Sequence, residues 1–343
     1  MRRLFICAAF AAMGLVNVNS QNSQETPQFT KYDVSLRMGL SSLPEIVNSS
    51  IRSQFGVEEP AWLSIPSRLS PIFGYALAQD YLKLAVFLPL NTGLFIGSEF
   101  LKDDWYLSSV SRMSAGHPIY LYQYDIYKTM RTRVTAGGYA TDFAPVSLED
   151  ALIAPFCFDY LLDPTVSIGL ACSIGGALAY NLLSGKAISP PTGPRIAVKG
   201  RSYDFALGSA LYWSESLYRS YWAGVGEEAF FRGFILPELV EYLGPIAGIA
   251  LDSLYFIAVH YAPGKDMLTL LLTYAPVSVF FTLMSYGNDY DFRKSSFAHF
   301  WYDMALESIY YLTGQSVSPA NCGTGEIVRG LGGIPLLSLR LEF

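Results

Sequence analysis

Residues Pro164–Leu183, PTVSIGLACSIGGALAYNLL, run for twenty positions without a charge. A helix of that length rises about 30 Å, the depth of a bilayer's hydrocarbon core. Its Gly, Ala and Ser content suits close packing against other helices in lipid. At that depth every backbone N–H and C=O must be satisfied within the segment, so helices are the only open-ended solution. Gly244–Tyr261 and Met267–Tyr286 carry further apolar runs, and 205–223 and 297–312 are more polar candidates. Residues 72–101 are apolar but broken by Asp80, Lys83 and Pro89, which fits one kinked span or two half-inserted pieces. Only 15% of residues are charged, against about 25% in soluble domains. The expected fold is therefore an all-α, polytopic membrane helical bundle of about five to seven membrane helices with a cavity between them. Long unbroken apolar helices exclude an outer-membrane barrel.

The segments around this core divide the chain. Residues 1–20 begin MRRLFICAAF and pair two arginines with a short apolar run, the pattern of a signal peptide cleaved after Ser20. An uncleaved N-terminal anchor is the alternative. Residues 21–66 are polar and mixed, without a strong period, and are expected outside the membrane. Residues 67–163 are partly embedded, 164–312 form the core, and 313–343 are a Gly-rich tail whose IPLLSLRLEF could form a short strand. The 184–204 loop holds Lys186, Arg195, Lys199 and Arg201 and is expected on the cytoplasmic side. Cys7, Cys157, Cys172 and Cys322 have neither metal-ligand nor redox spacing. A net charge of -6 without a basic stripe argues against nucleic acid as a partner.

Within the apolar half, GEEAFFRG places Glu227, Glu228 and Arg232 together. Each ionisable group at membrane depth costs at least about 2.5–3.5 kcal/mol, so such groups face a cavity and pair. Glu228 and Arg232, one turn apart, could form a simple helix-end ion pair. The histidines argue for more. His117 stands before a proline in a polar stretch and reads as a loop residue, but His260 and His299 lie in apolar helices. His299 and Asp303 share a helix face. Two acids, an arginine, two histidines and an aspartate on three helices most cheaply meet in one place. Together they supply the parts of hydrolysis: a base for water, an imidazole, and donors for an oxyanion. A His2Glu zinc site is conceivable, although no HExxH is present. Nucleophile-elbow, phosphate-loop and GxGD aspartyl motifs are also missing.

The order EEAFFRGFIL (Glu227–Leu236), FIAVH (Phe256–His260), HFWYD (His299–Asp303) resembles the CAAX prenyl endopeptidase-like and bacteriocin-processing (CPBP, or Abi) family of intramembrane proteases. Their motifs are EExxxR, FxxxH and HxxxN or HxxxD. The resemblance covers about residues 164–312, and the ordered triple is far more specific than EExxxR alone. It implies an intramembrane endopeptidase in which Glu227 activates water, Glu228 and Arg232 complete the first motif, and Arg232 holds the acidic pair. His260 would polarise the water, and His299 and Asp303 would stabilise the oxyanion. Asp303 departs from the Asn of the eukaryotic relatives: an ionised Asp cannot donate a hydrogen bond, so it would be protonated or would orient His299. The resemblance further implies no cofactor and no metal, a membrane-protein or lipidated-peptide substrate, and a bilayer setting. The leader adds the bacterial cytoplasmic (inner) membrane as the expected location. A catalytically silent scaffold or immunity-type protein on the same fold is the main alternative. A small transporter ranks behind it, because the ionisable residues cluster by motif instead of marking a path.

Overall fold

The computed structural model describes residues 28–42, 61–101, 103–134, 138–183, 185, 187–260 and 267–319. The leader, Cys7, Cys322 and the IPLLSLRLEF tail lie outside these residues. Helices dominate: α1 (31–42), α2 (Ala61–Leu77), α3 (Tyr81–Phe100), α4 (Trp105–Gly116), α5 (Pro118–Arg131), α6 (Leu148–Ile153) and α7 (Pro164–Leu183) come first. A hairpin of β1 (Arg195–Val198) and β2 (Arg201–Asp204) leads into α8 (Phe205–Trp222). There follow α9 (Glu228–Phe230), α10 (Leu236–Leu243), α11 (Pro245–Val259), α12 (Met267–Tyr286), α13 (Arg293–Leu312) and β3 (Val317–Pro319). Among the described residues, Tyr81–Ser98 and Pro164–Leu183 are long and apolar enough to cross a membrane.

Several elements differ from the sequence expectation. The interruption in 72–101 is a boundary between two helices. Gln79 turns the chain with φ 58°, and the Asp80 side chain caps α3 by accepting from the Lys83 N–H. Asp80 is thus a helix start, and Pro89 lies inside α3 without ending it. Within the partly embedded 67–163 stretch, the segment after α3 contains α4 and α5. One acid of α5 gathers partners: buried Asp125 holds Lys83 at 2.6 Å and Lys128 at 3.0 Å, and accepts the Tyr75 hydroxyl at 3.0 Å. The 21–66 segment is not without period, since α1 turns Val34 and Met38 inward one turn apart. Helix α13 starts four residues earlier than the 297–312 expectation.

The all-α expectation also misses a small antiparallel sheet in the order β2-β1-β3. Lys199 and Gly200 both have positive φ, the two-residue turn that matches strand twist. Ile196, Val198 and Val317 then pack on Tyr212 of α8 and Tyr311 of α13. The sheet packs against α8, which leads into the first motif, and α13, which carries the third.

Helix α10 is the anchor for the N-terminal part. Glu238 accepts hydrogen bonds from Ser35, Tyr127 and Tyr139. Glu241 accepts from Lys31 and from the backbone N–H groups of Ala140 and Thr141. A single core runs from Phe29 and Val34 through Tyr75, Tyr122 and Ile126 to Phe231, Phe256 and Tyr274.

Asp125→Ala removes the acid shared by Lys83 and Lys128, which keep 21% and 18% of their side chains exposed. We expect a loss of about 2 kcal/mol in detergent unfolding, below the roughly 3–5 kcal/mol of a fully enclosed pair. Unchanged stability would show the cluster to be dispensable.

Candidate active site

The first motif sits in an irregular helical stretch. Helix α8 passes into a π-turn, Ala223–Glu227, then α9, then a second π-turn, Phe231–Ile235, before α10. Each π-turn inserts extra backbone and re-aims the side chains that follow, a device that recurs at functional sites. Close backbone contacts hold this stretch. A Cβ on Gly224 would lie 3.0 Å from the Phe300 N and the Ser296 carbonyl oxygen, and one on Gly226 would lie 2.9 Å from the His117 carbonyl oxygen. Helix α13 and the start of α5 therefore press directly on the backbone beside the two glutamates. His117, read from sequence as a loop residue, is buried at the α4–α5 junction.

Glu227, Glu228, Arg232, His260 and His299 are all buried. Arg232 Nη1 lies 3.4 Å from Glu228 Oε1, and its Nε lies 3.6 Å from Asp252 Oδ2. Its Nη2 donates to the Ser278 carbonyl and hydroxyl oxygens. Glu228 Oε1 also receives the His299 Nδ1 at 2.9 Å. A carboxylate in that role only accepts, so the Nδ1 carries the proton. The other nitrogen of His299, Nε2, is 3.7 Å from Asp303 Oδ2.

His260 closes α11 as its C-cap residue. Its Nδ1 is 2.6 Å from the Phe256 carbonyl oxygen. A carbonyl has no proton to give, so the Nδ1 is the donor and the Nε2 carries the lone pair. That Nε2 lies 3.7 Å from Glu227 Oε2. The imidazole is sandwiched between Phe256 at 4.5 Å and Tyr274 at 4.7 Å. Phe256 also meets the His299 ring at 5.9 Å and lies 4.3 Å beneath the Arg232 guanidinium. One phenylalanine is thus a floor shared by elements of all three motifs. His299 stacks in turn on Phe281 of α12.

The six residues picked out by sequence therefore come together in two linked sets. Glu227 faces His260, and the chain Arg232–Glu228–His299–Asp303 runs beside it. Asp303 keeps 24% of its side chain exposed, against 8% for Glu227, 5% for His260 and 6% for His299. Among the described residues, no group of three or more His, Cys, Asp or Glu side chains is arranged to hold a metal ion.

Sequence reasoning passed over Asp252, Tyr274 and Phe281. Asp252 had a readable signal, being a lone acid in an apolar run, two turns before His260 on the face that bears Phe256. Tyr274 and Phe281 had none, because an aromatic residue in an apolar helix looks like any other. A second polar cluster lies two turns beyond His299: Glu307 pairs with Arg219 and accepts the hydroxyls of Tyr212 and Ser216.

Residues 209–315 match the family model described as type II CAAX prenyl endopeptidase Rce1-like. That stretch contains all three motifs and agrees with the resemblance drawn from them. Neither the curated proteins nor the solved structures contain a match. The match supports a membrane-embedded peptidase-like helical core.

Arg232 has no exposed side-chain surface. Arg232→Gln leaves Glu228 and Asp252 buried beside a neutral amide, and a lost partner of this kind costs about 3–5 kcal/mol. The expected outcome is a sharply lower yield of folded protein in detergent, read by size-exclusion chromatography and thermal unfolding. A wild-type melting curve would refute the pairing.

Proposed function

We propose that the chain is an intramembrane endopeptidase that hydrolyses a peptide bond of a membrane protein or lipidated peptide, with Glu227 activating the water and no metal taking part. The observation that carries this reading is the facing pair of Glu227 Oε2 and His260 Nε2, 3.7 Å apart, with the other His260 nitrogen committed to a backbone carbonyl. A water at about 2.8 Å from both atoms fits that gap. It donates one hydrogen to Glu227 and one to the His260 lone pair, which aims its oxygen outward.

In the first step Glu227 takes a proton from this water as the water oxygen bonds to the scissile carbonyl carbon. The carbonyl π electrons move onto oxygen. His299 is placed to meet that charge: both its nitrogens face carboxylate oxygens, so it can carry N–H on both and offer the Nε2 proton to the oxyanion. Asp303 acts here by orienting His299, which answers the difficulty that an ionised Asp cannot donate. In the second step the oxyanion collapses, the C–N bond breaks, and Glu227 returns its proton to the departing amine. Burial of Glu227 and both imidazoles limits competition from bulk water. The bacterial cytoplasmic membrane is the proposed setting.

The test is cleavage of internally quenched peptides, with and without a prenylated cysteine, by purified protein in detergent. Glu227→Gln should lower kcat by about 10²–10⁴-fold while the protein stays folded. Wild-type protein that is well folded yet cleaves nothing would favour a silent scaffold.

Chelation by EDTA and 1,10-phenanthroline should leave the rate unchanged, with less than one metal per chain by mass spectrometry. Tightly held zinc, with activity lost on its removal and restored on its return, would overturn the metal-free mechanism.

A further inference from the structure

We propose that Asp252 is a positioning residue of this site, acting through Arg232 and Glu228 on His299; the proposal deepens the peptidase reading and rests on it. Asp252 touches neither histidine, yet it completes the surroundings of the group that sets one of them.

Arg232 is held on three sides. Glu228 lies at Nη1, Asp252 at Nε, and Ser278 at Nη2. All three charged side chains are fully enclosed, so no water can replace a missing partner. The contacts differ in consequence. Ser278 fixes one edge of the guanidinium to α12, whereas the two acids pull on it from α9 and α11. Glu228 has competing duties, because its Oε1 serves both Arg232 at 3.4 Å and His299 at 2.9 Å. The balance between them decides how closely Glu228 holds the imidazole. Asp252 draws the guanidinium the other way and so leaves Glu228 the shorter contact with His299.

Asp252 is itself aimed. The Thr282 hydroxyl lies 2.8 Å from its Oδ2, and Ser253 donates to that same hydroxyl at 3.2 Å. Ser278 adds a tie from its hydroxyl to the Ser253 carbonyl. This collar joins α11 to α12 around the arginine. A residue needed only to neutralise charge would require no such orientation, since Glu228 already supplies one acid to Arg232.

The experiment uses full-length protein, comparing wild type with Asp252→Asn, Asp252→Ala and Thr282→Val. Each is assayed on the quenched peptide cleaved best by wild type, and each is examined by ¹⁵N NMR of histidine-labelled protein. With only three histidines in the chain, His→Gln variants assign every signal. Asp252→Ala should lower kcat about tenfold with KM unchanged, the scale expected when a supporting contact lets a reacting group drift. Asp252→Asn should fall between it and wild type. Thr282→Val, which keeps the acid but loses a donor to it, should cost about threefold, less than loss of the acid itself. The His299 ring signals should move in all three, and those of His117 and His260 should not. Wild-type kcat with unmoved His299 signals, even alongside a lower melting temperature, would reduce Asp252 to a stabilising role and overturn the proposal. If Asp252→Ala does not fold, Thr282→Val decides by the same two readouts. If wild type cleaves no peptide, the peptidase reading fails, and the His299 signals still decide whether Asp252 reaches that ring.

Discussion

A fully enclosed guanidinium in an apolar helix bundle is the constraint from which the site is built. Arg232 cannot shed its proton and has no route to water, so counter-charges have to come to it. They arrive from two directions, Glu228 on its own helical stretch and Asp252 on α11, with Ser278 of α12 closing the third side. Helices that could slide against one another in lipid with little penalty are thereby fixed in register. The π-turns on either side of α9 are part of the same solution. They aim Glu227, Glu228 and Arg232 inward from a stretch where regular α-geometry would spread them differently.

From that junction the two histidines acquire different roles although their chemistry is the same. The Nδ1 of His260 is held by the carbonyl one turn back, and its Nε2 lies 3.7 Å from Glu227. The Nδ1 of His299 is held by a carboxylate, and its second nitrogen looks toward another. In the proposed hydrolysis His260 would receive a hydrogen from water and His299 would give one to the oxyanion. Phe256 packs against both rings and lies beneath Arg232, which is a physical reason for an aromatic residue four positions before His260.

The N-terminal half has no recognisable motif, yet it braces the site. His117 and Tyr120 abut Gly226, and Tyr124 abuts Gly233, so α5 packs along the whole first motif. Glu238 and Glu241 tie the far end of that segment to α1, α5 and the 139–141 stretch. A minimal core cut at residue 164 would expose the back of the helical stretch that bears the first motif. The sheet near Tyr212 and Tyr311 steadies the other end.

What the sequence determined by itself was the helical class, the extent of α7 and α12, and a set of ionisable residues that the structure brings close together. These rest on local quantities: an uninterrupted apolar run specifies its own helix, and the cost of a lone charge in lipid requires that charges on separate helices meet. Its errors share one cause, since a polar residue reads as an interruption until its partner is known. Asp80 proved to be a helix cap, and Asp125 the centre of a buried cluster between α3 and α5. Only the tertiary structure decided which nitrogen of each histidine is committed, that Arg232 is shared with Asp252, and that π-turns aim the glutamates. Each of these depends on which atoms lie within a few ångströms across a helix interface, and residues far apart in sequence carry no record of that distance.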